Sequence, residues 1–531
     1  NPMTTLVKTI DVAGLKAALH DGGEIALLDA REEVPFDARH IFMASCLSIG
    51  RIEMLVDGLV PRRTARVIWC DDGGGLAERA AARMASLGYS DVSVLEGGIK
   101  AWEAAGHLIY SGVHVPSKAF AEVVEHVAET PYITAEELKT LIDNQADIAI
   151  FDTRSYEEYH SNSIPGAVSV PGVEIVYRFK DLTPSANTLV VVNCGGRTRS
   201  IIGAQALINA GVPNKVVSLK NGTQDWHLAG YEVVKGASRR PPDISDAGMG
   251  VAIAGARRVA KLCGINIIDR ATLEVWRSEV GDRTLYTLDV RTLEEYEEGH
   301  IAGVKHVAGG QLVQETDAHL GTWGARVVLF DDNGIRATVT ASWLSQMGWE
   351  VAIITNAEAG GKIVTGPHLP VVRGLDSSKA MRISPDELRN KLERGEVTVI
   401  DLNWSRGYYE GHIPNSWFAI RSRLDADLSK LPDAGALVFT SPDGLLAEIA
   451  AANRSAMALE GGTAAWVDAG LPLETGATNM VSAADDIRLK AREQGTDIEA
   501  AMRAYLAWEI GLVNDMAKDD DHRFNVIVPA S

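Results

Sequence analysis

One pattern recurs four times along this chain, and any fold assigned to it must repeat in the same register. Four short apolar runs end in an aspartate: Ala26-Leu27-Leu28-Asp29, Ala149-Ile150-Phe151-Asp152, Tyr286-Thr287-Leu288-Asp289 and Val399-Ile400-Asp401. Eleven residues after each aspartate stand His40-Ile41, Ser163-Ile164, His300-Ile301 and His412-Ile413. A second apolar run then feeds a polar or glycine-rich turn. Counted from the aspartate, that turn opens after 42 residues at Asp71, Cys194 and Asp331, and after 40 at Ser441. Helical patterns follow, three of them closing on Gly88, Gly211 and Gly348. After a further strand pattern come Gly98/Trp102, Gly222/Trp226 and Gly462/Trp466; the third repeat keeps Gly360-Gly361 without the tryptophan, and the fourth is about six residues shorter than the first after its turn.

Short β-rich runs alternating with helical stretches predict an α/β fold: four tandem domains, each a small, mainly parallel sheet flanked by helices. The domains fall at 4–115, 130–240, 266–375 and 381–476. Between them, 116–129 has the apolar spacing of a helical linker, and 241–265 is a linker opened by Pro241-Pro242. The tail, 477–531, is predicted helical with Met502, Leu506, Ile510 and Val513 on one face, the pattern of an interdomain or homodimer-packing helix.

With 71 acidic against 51 basic residues, a net charge of −20 argues against a nucleic-acid or anionic-membrane partner. No run approaches the ~18 apolar residues of a membrane span, and no basic, apolar leader opens the chain. Cys46, Cys70, Cys194 and Cys263 are too scattered for a disulfide framework or a metal site, so a reducing, cytoplasmic setting without metal is expected.

The second repeat alone carries a reactive-looking turn, Asn193-Cys194-Gly195-Gly196-Arg197-Thr198-Arg199-Ser200, between a strand and a helix start. Two glycines allow successive amides to turn inward as an anion-holding nest. A helix N-terminus and nearby guanidiniums lower a thiol pKa, so Cys194 is expected to be a thiolate nucleophile at neutral pH. Arg197 and Arg199 suit an oxyanion such as a sulfonate, and Ser200 is a candidate cap that could donate to the sulfur. A merely packed thiol would explain neither the glycines nor the arginines. Cys70, one residue before its turn, reads as core, as do Cys46 and Cys263. Asp152 and Arg154 are expected near the site as an ion pair bracing the loop, and Arg178 within reach of the pocket mouth. Trp226 reads as core.

Asp152-Thr153-Arg154, Ser163-Ile164-Pro165-Gly166-Ala167, the turn from Cys194 to Ser200, and Gly222 with Trp226 together resemble the rhodanese (thiosulfate sulfurtransferase) family. The resemblance covers about nine-tenths of the chain as four tandem domains. It implies that the Cys194 thiolate takes the outer sulfur of thiosulfate, releases sulfite, and passes the resulting persulfide sulfur to cyanide or a thiol. The intermediate is the cysteine persulfide itself, so no cofactor is expected, and the partners are a small sulfur donor and acceptor. Asp71, Asp331 and Ser441 cannot form a persulfide, and their turns read as lacking the pair of arginines, so those domains are expected to be inactive. With Ser163 where the siblings have histidine, that histidine has no evident catalytic role. Alternatives are a persulfide relay fed by a protein or low-molecular-weight thiol, a phosphatase or arsenate reductase, whose family relatives carry one more residue between cysteine and arginine, and a non-catalytic scaffold.

Overall fold

The computed structural model describes residues 7–376, 379–432, 435–452 and 454–530. The first domain's expected start at residue 4 lies outside the described residues. Four five-stranded sheets share one strand order, and every neighbouring pair within them is parallel. In the second repeat the order across the sheet is Tyr132–Ile133, Val216–Leu219, Leu189–Asn193, Ile148–Asp152, Val168–Ser169.

The central run Val190-Val191-Val192 is fully buried and has no polar face, so it requires helices on both sides of the sheet. Val191 joins a core of Leu138, Ile150, Tyr159, Val217 and Trp226. Val192 points to the other face, where the helix Thr198–Asn209 packs so closely that a Cβ on Gly203 would lie 3.0 Å from Val192 Cγ1. In register, Asp152 pairs with Asn193. The carboxyl ends of two central strands therefore lie side by side, the position at which open α/β sheets bind ligands.

The repeated histidines are structural. His40, His300 and His412 donate from Nδ1 to the carbonyls of Phe36, Tyr296 and Tyr408 at 2.9, 2.8 and 2.7 Å, and each stacks on that ring. Ser163 keeps the equivalent backbone bridge, to Val234.

The chain divides into two compact units, one holding the first and fourth repeats, the other the second and third with the C-terminal helix. Within each unit, two repeats meet through the same segment, 20 or 21 residues past the strand-ending aspartate. Gly172 faces Gly310 so closely that a Cβ on either would lie 2.4 Å from the other's Cα, and a Cβ on Gly50 would lie 3.2 Å from the Ser422 amide. An ion pair accompanies each contact: Arg336 with Glu174 at 2.9 Å, and Arg421 with the fully buried Glu53 at 2.6 Å. The fourth repeat continues past residue 476, because Phe418 takes a bond from its own amide to Asn479 and bridges Met480, and Ser482 donates to Asp427.

In three repeats the strand-ending aspartate grips the arginine two residues on: Asp29 with Arg31, Asp152 with Arg154, Asp289 with Arg291, each at 2.7 Å. In the fourth, Asn403 replaces the arginine. Asp401 accepts from the Asn403 amide, and its Oδ2 is buried without a partner. Burial pushes the Asp401 carboxyl up to about 6. A folded pKa above the unfolded one contributes stability at low pH that is lost as pH rises through the folded value. The unit carrying Asp401 should therefore lose about 3 kcal/mol between about pH 4 and pH 6. Urea unfolding at pH 4 and pH 7 should show a loss that is smaller by about that amount in Asp401→Asn than in the wild type, Asp29 and Glu32 still contributing in both.

Candidate active site

The turn from Cys194 to Arg197 is held from behind. The helix Gly222–Leu228 aims its first amides at the turn's carbonyls: Thr223 N donates to Cys194 O at 2.9 Å and Gln224 N to Gly195 O at 3.1 Å, with the Thr223 hydroxyl also on Cys194 O at 3.0 Å. Gly222 adopts φ +58°, and a Cβ there would lie 2.3 Å from Cys194 O. The same clash would occur at Gly98 against Asp71 O and at Gly462 against Ser441 O, which explains the recurring glycine. With its carbonyls bound on one side, the turn presents its amides on the other.

What occupies those amides differs among repeats. Asp71 accepts at Oδ1 from Gly73 N, at 2.7 Å, and at Oδ2 from Ala77 N, at 3.0 Å. Asp331 accepts from Gly334 N and Ala337 N at 2.6 and 2.9 Å, and Ser441 Oγ from Ala447 N at 3.3 Å. In all three, the side chain opening the turn caps the amide six residues on. Cys194 places its sulfur in the same position, toward the Gly196 and Ser200 amides. Its Sγ lies 3.5 Å from Ser200 Oγ, which itself donates to Arg197 O at 2.9 Å. The carboxylates of the sibling repeats thus stand where the second repeat has a thiol.

The two arginines part company. Arg197 is buried and turns away to the linker helix Val115–Ala128: Nε donates to Glu122 Oε1 at 2.7 Å, Nη2 to Glu125 Oε1 at 2.6 Å, and Nη1 to Asn221 Oδ1 at 3.0 Å. The expectation that it holds a donor anion is corrected by these bonds, which use its guanidinium to fasten the turn. Burial pushes the Glu122 carboxyl up to about 7 despite Arg197, with Glu509 and Glu125 adding like charge. Arg199 faces the sulfur electrostatically and is paired with Glu158, Nη1 to Oε2 at 2.7 Å. Glu158 is fixed by its own helix, as the third residue of a capping box with Ser155, and also meets Lys490 at 3.4 Å. Burial raises the Glu158 pKa, but Arg199, Lys490 and Arg154 outweigh it and hold the carboxyl far below its usual range. The third repeat repeats this pairing, Arg336 on Glu295 at 2.6 Å, five residues past the turn's opening as Arg199 is. That turn therefore keeps one of the two arginines that the sequence reading denied it.

Arg154 forms the expected brace, gripping Asp152 and donating to Asn162 O at 2.6 Å, while its Cδ lies under Gly195. Arg178 lies over the Tyr177 ring and donates to Glu174 at 3.4 Å, a place on its helix rather than at the turn. Trp226 is core. A cavity of about 390 Å³ including its open mouth adjoins Thr198 and Arg199 from the apolar side, between Val173, Gly310 and Trp343, and does not reach Cys194.

Sequence reasoning missed the cover over the turn. The C-terminal helix Ile498–Met516 buries Met502, Leu506, Glu509, Leu512 and Met516, a face rotated from the one expected, with Ile510 exposed. Thr198 Oγ1 donates to Glu509 Oε1 at 2.9 Å, and a Cβ on Gly196 would lie 3.4 Å from Glu509 Oε2 and 3.7 Å from Tyr505. Cys194 is 2% exposed. Burial raises its thiol pKa, and Arg199, the Ser200 hydroxyl and the turn amides do not overcome this, so the expected resting thiolate is corrected to a thiol. Among the described residues no group of three or more histidine, cysteine or acidic side chains is placed to hold a metal, and no helix is long and apolar enough to cross a membrane.

Residues 11–105, 134–229 and 274–357 match the rhodanese-like domain family. The chain is similar to a thiosulfate sulfurtransferase of Pseudomonas aeruginosa: 43% identity and a TM-score of 0.92, over 98% of this chain and 100% of that one. It is 29% identical over 124 residues to Bacillus subtilis YrkF, whose name designates it a candidate sulfur carrier, covering 23% of this chain and 64% of that protein. It is 28% identical over 132 residues to an HTH-type transcriptional regulator of Mycobacterium tuberculosis, covering 22% of this chain and 58% of that protein. The chain thus spans less than two thirds of the length of either of these two relatives.

Alkylation tests the state of the thiol. Iodoacetamide should label Cys194 slowly in the native protein at pH 7, with a rate still rising above the ordinary thiol pKa of ~8.5. Mass-spectrometric quantification of labelling at Cys194 against pH checks this; fast labelling that plateaus below pH 7 would show a thiolate despite burial.

Proposed function

From the premise that the chain belongs to the rhodanese-like domain family, we propose that it is a sulfurtransferase that takes sulfane sulfur from thiosulfate onto Cys194 and delivers it to cyanide or a thiol. One observation carries this reading: of four equivalent turn openings, three are filled by side chains that cap their own helix, and the fourth holds a thiol in the same nest. A negative sulfur is what those amides would stabilise there.

The chemistry balances without an external oxidant. Once the thiol proton has left, Cys194 Sγ attacks the outer sulfur of thiosulfate, the donor's S–S bond breaks, and sulfite departs with the bonding pair. Cys194 then carries a persulfide. A cyanide carbon or acceptor thiolate attacks the terminal sulfur, the Cys194–sulfur bond breaks, and the thiolate returns. Arg199 supplies the charge beside the sulfur that favours thiolate and leaving anion alike. Arg197 is a positioning residue, acting through the turn it ties to Glu122 and Glu125. Four free cysteines suit a reducing, cytoplasmic setting. Phosphatase chemistry fits less well, because four residues separate Cys194 from Arg199, the shorter of the family's loops.

Thiocyanate formation from thiosulfate and cyanide should be lost in Cys194→Ser, and mass spectrometry after thiosulfate treatment should find one added sulfur per chain, absent in that variant. Full activity in Cys194→Ser would refute the assignment.

The arginines should separate by readout. Arg199→Ala should lower kcat/KM for thiosulfate by roughly ten- to a hundredfold, the size of a lost charge-assisted hydrogen bond of ~1.5–3 kcal/mol. Arg197→Ala, which strands the buried Glu122, should instead cost about 3 kcal/mol in urea unfolding. Equal stability of the two variants would contradict this division.

A further inference from the structure

The C-terminal helix brings a carboxyl group beside Gly196 of the reactive turn. Glu509 is 1% exposed. Its Oε1 accepts from Thr198, and its Oε2 is buried without a hydrogen-bond partner, beside Gly196. An acidic side chain buried in this way among Met502, Leu506 and Leu512 costs stability, and packing of the helix does not require it. Around the turn Arg197 is held by Glu122 and Glu125, Arg199 by Glu158 and Arg154 by Asp152, while Lys118 is the cation that faces Glu509 from the helix Val115–Ala128. Glu509 places its carboxyl group beside Gly196, at a site proposed to receive a doubly charged donor.

We infer that Glu509 is a specificity-determining residue: its carboxylate beside Gly196 discriminates against doubly charged sulfur donors and in favour of donors with less negative charge. This rests on the sulfurtransferase reading of Cys194 and adds to it the charge class of the donor. The mechanism is direct repulsion across a partly dehydrated gap, where two unit charges a few ångströms apart interact far more strongly than in bulk water.

The groups facing Glu509 decide how this preference depends on pH. Lys118 and Glu122 approach from the helix Val115–Ala128, and Arg197, Thr198 and Arg199 from the turn and its helix. Burial raises the Glu509 pKa, against the opposing pull of Lys118, Thr198 and the two arginines. Protonation on acidification removes the charge and lets the group donate a hydrogen bond, so dianionic donors should gain relative to monoanionic ones as pH falls.

Thiosulfate and methanethiosulfonate provide the comparison. They share the transferable S–S unit, and the second replaces one anionic oxygen by a methyl group. Cys194 attacks the outer sulfur of either, releasing sulfite from one and methanesulfinate from the other. The readout is the ratio of kcat/KM values, thiosulfate over methanethiosulfonate, which is unaffected by the fraction of correctly folded protein or by titration of Cys194 itself. In the wild type the ratio should rise as pH falls. In Glu509→Gln, which keeps an acceptor for Thr198, it should be at least tenfold higher at pH 8 and should rise less on acidification, Glu122 still titrating nearby. Identical ratios and slopes in the two proteins would overturn the role of Glu509 while leaving the sulfurtransferase reading intact. Failure of both donors to persulfidate wild-type Cys194 would overturn that reading, and the inference with it.

Discussion

The hydrogen bonds from the helix Gly222–Leu228 to the carbonyls of Cys194 and Gly195 are the constraint from which the rest of the site follows. A tight turn at the carboxyl end of a strand has both donors and acceptors to satisfy, and burying either set alone is costly. By taking the acceptors from behind, the Gly222 helix leaves the donors facing a single point. The repeated glycine is needed because the turn's carbonyl approaches so closely that no side chain fits. Once that frame exists, what the turn can hold depends on one residue. A carboxylate at the opening closes the frame upon itself, as at Asp71 and Asp331; a thiol leaves the amides available to a charge that comes and goes.

Electrostatic balance around Cys194 follows from how deeply it is buried. Free guanidiniums close to a thiol would favour thiolate, but buried guanidiniums without partners are expensive, and each here has a carboxylate. The resulting neutrality leaves desolvation as the larger influence, so the thiol pKa rises although Arg199, the Ser200 hydroxyl and the turn amides favour the charged form. Deprotonation and access to the sulfur are therefore coupled: whatever admits water or donor to the turn also removes the main obstacle to thiolate. The turn's cover, with Tyr505 and Glu509 over Gly196 and Lys490 on Glu158, belongs to the same electrostatic system.

Much of this was legible in the sequence, for identifiable reasons. Backbone register is a counting problem, and the distance from Asp152 to Cys194 equals that from Asp29 to Asp71, so the thiol's place at a strand end could be read directly. The Asp152–Arg154 brace was legible because both partners lie two residues apart. Arg197 was misread because its partners, Glu122 and Glu125, lie some 70 residues earlier in a stretch that reads as a linker. Arg336 escaped notice because it lies inside the helix Ile335–Gln346 rather than in the turn before it. Glu509 was hidden by helical geometry: positions 502, 506, 510 and 513 and positions 502, 506, 509, 512 and 516 fit a period of 3.6 about equally well. An acid in such a stripe reads as solvated until a partner helix is known. The thiol pKa was inferred from neighbouring charges alone, and burial, which reverses its direction, has no local signature.

Retention of three repeats without a cysteine at the opening of the turn has a physical basis in how repeats pair. The second repeat presents Glu174 at its contact with the third, and Arg336 of the third answers it while also holding Glu295 and Asp332. The first and fourth repeats use the same device, with Glu53 held by Arg421 and by Arg83 of its own repeat. Each contact joins equivalent segments and brings backbones close at Gly172–Gly310 and at Gly50, so a repeat alone would expose this surface and strand a buried charge. Loss of the thiol leaves these contacts untouched, since the self-capped turns keep strand, turn and helix in place. A repeat can therefore lack a thiol at the opening of its turn while still supplying its neighbour with the surface that neighbour needs to fold.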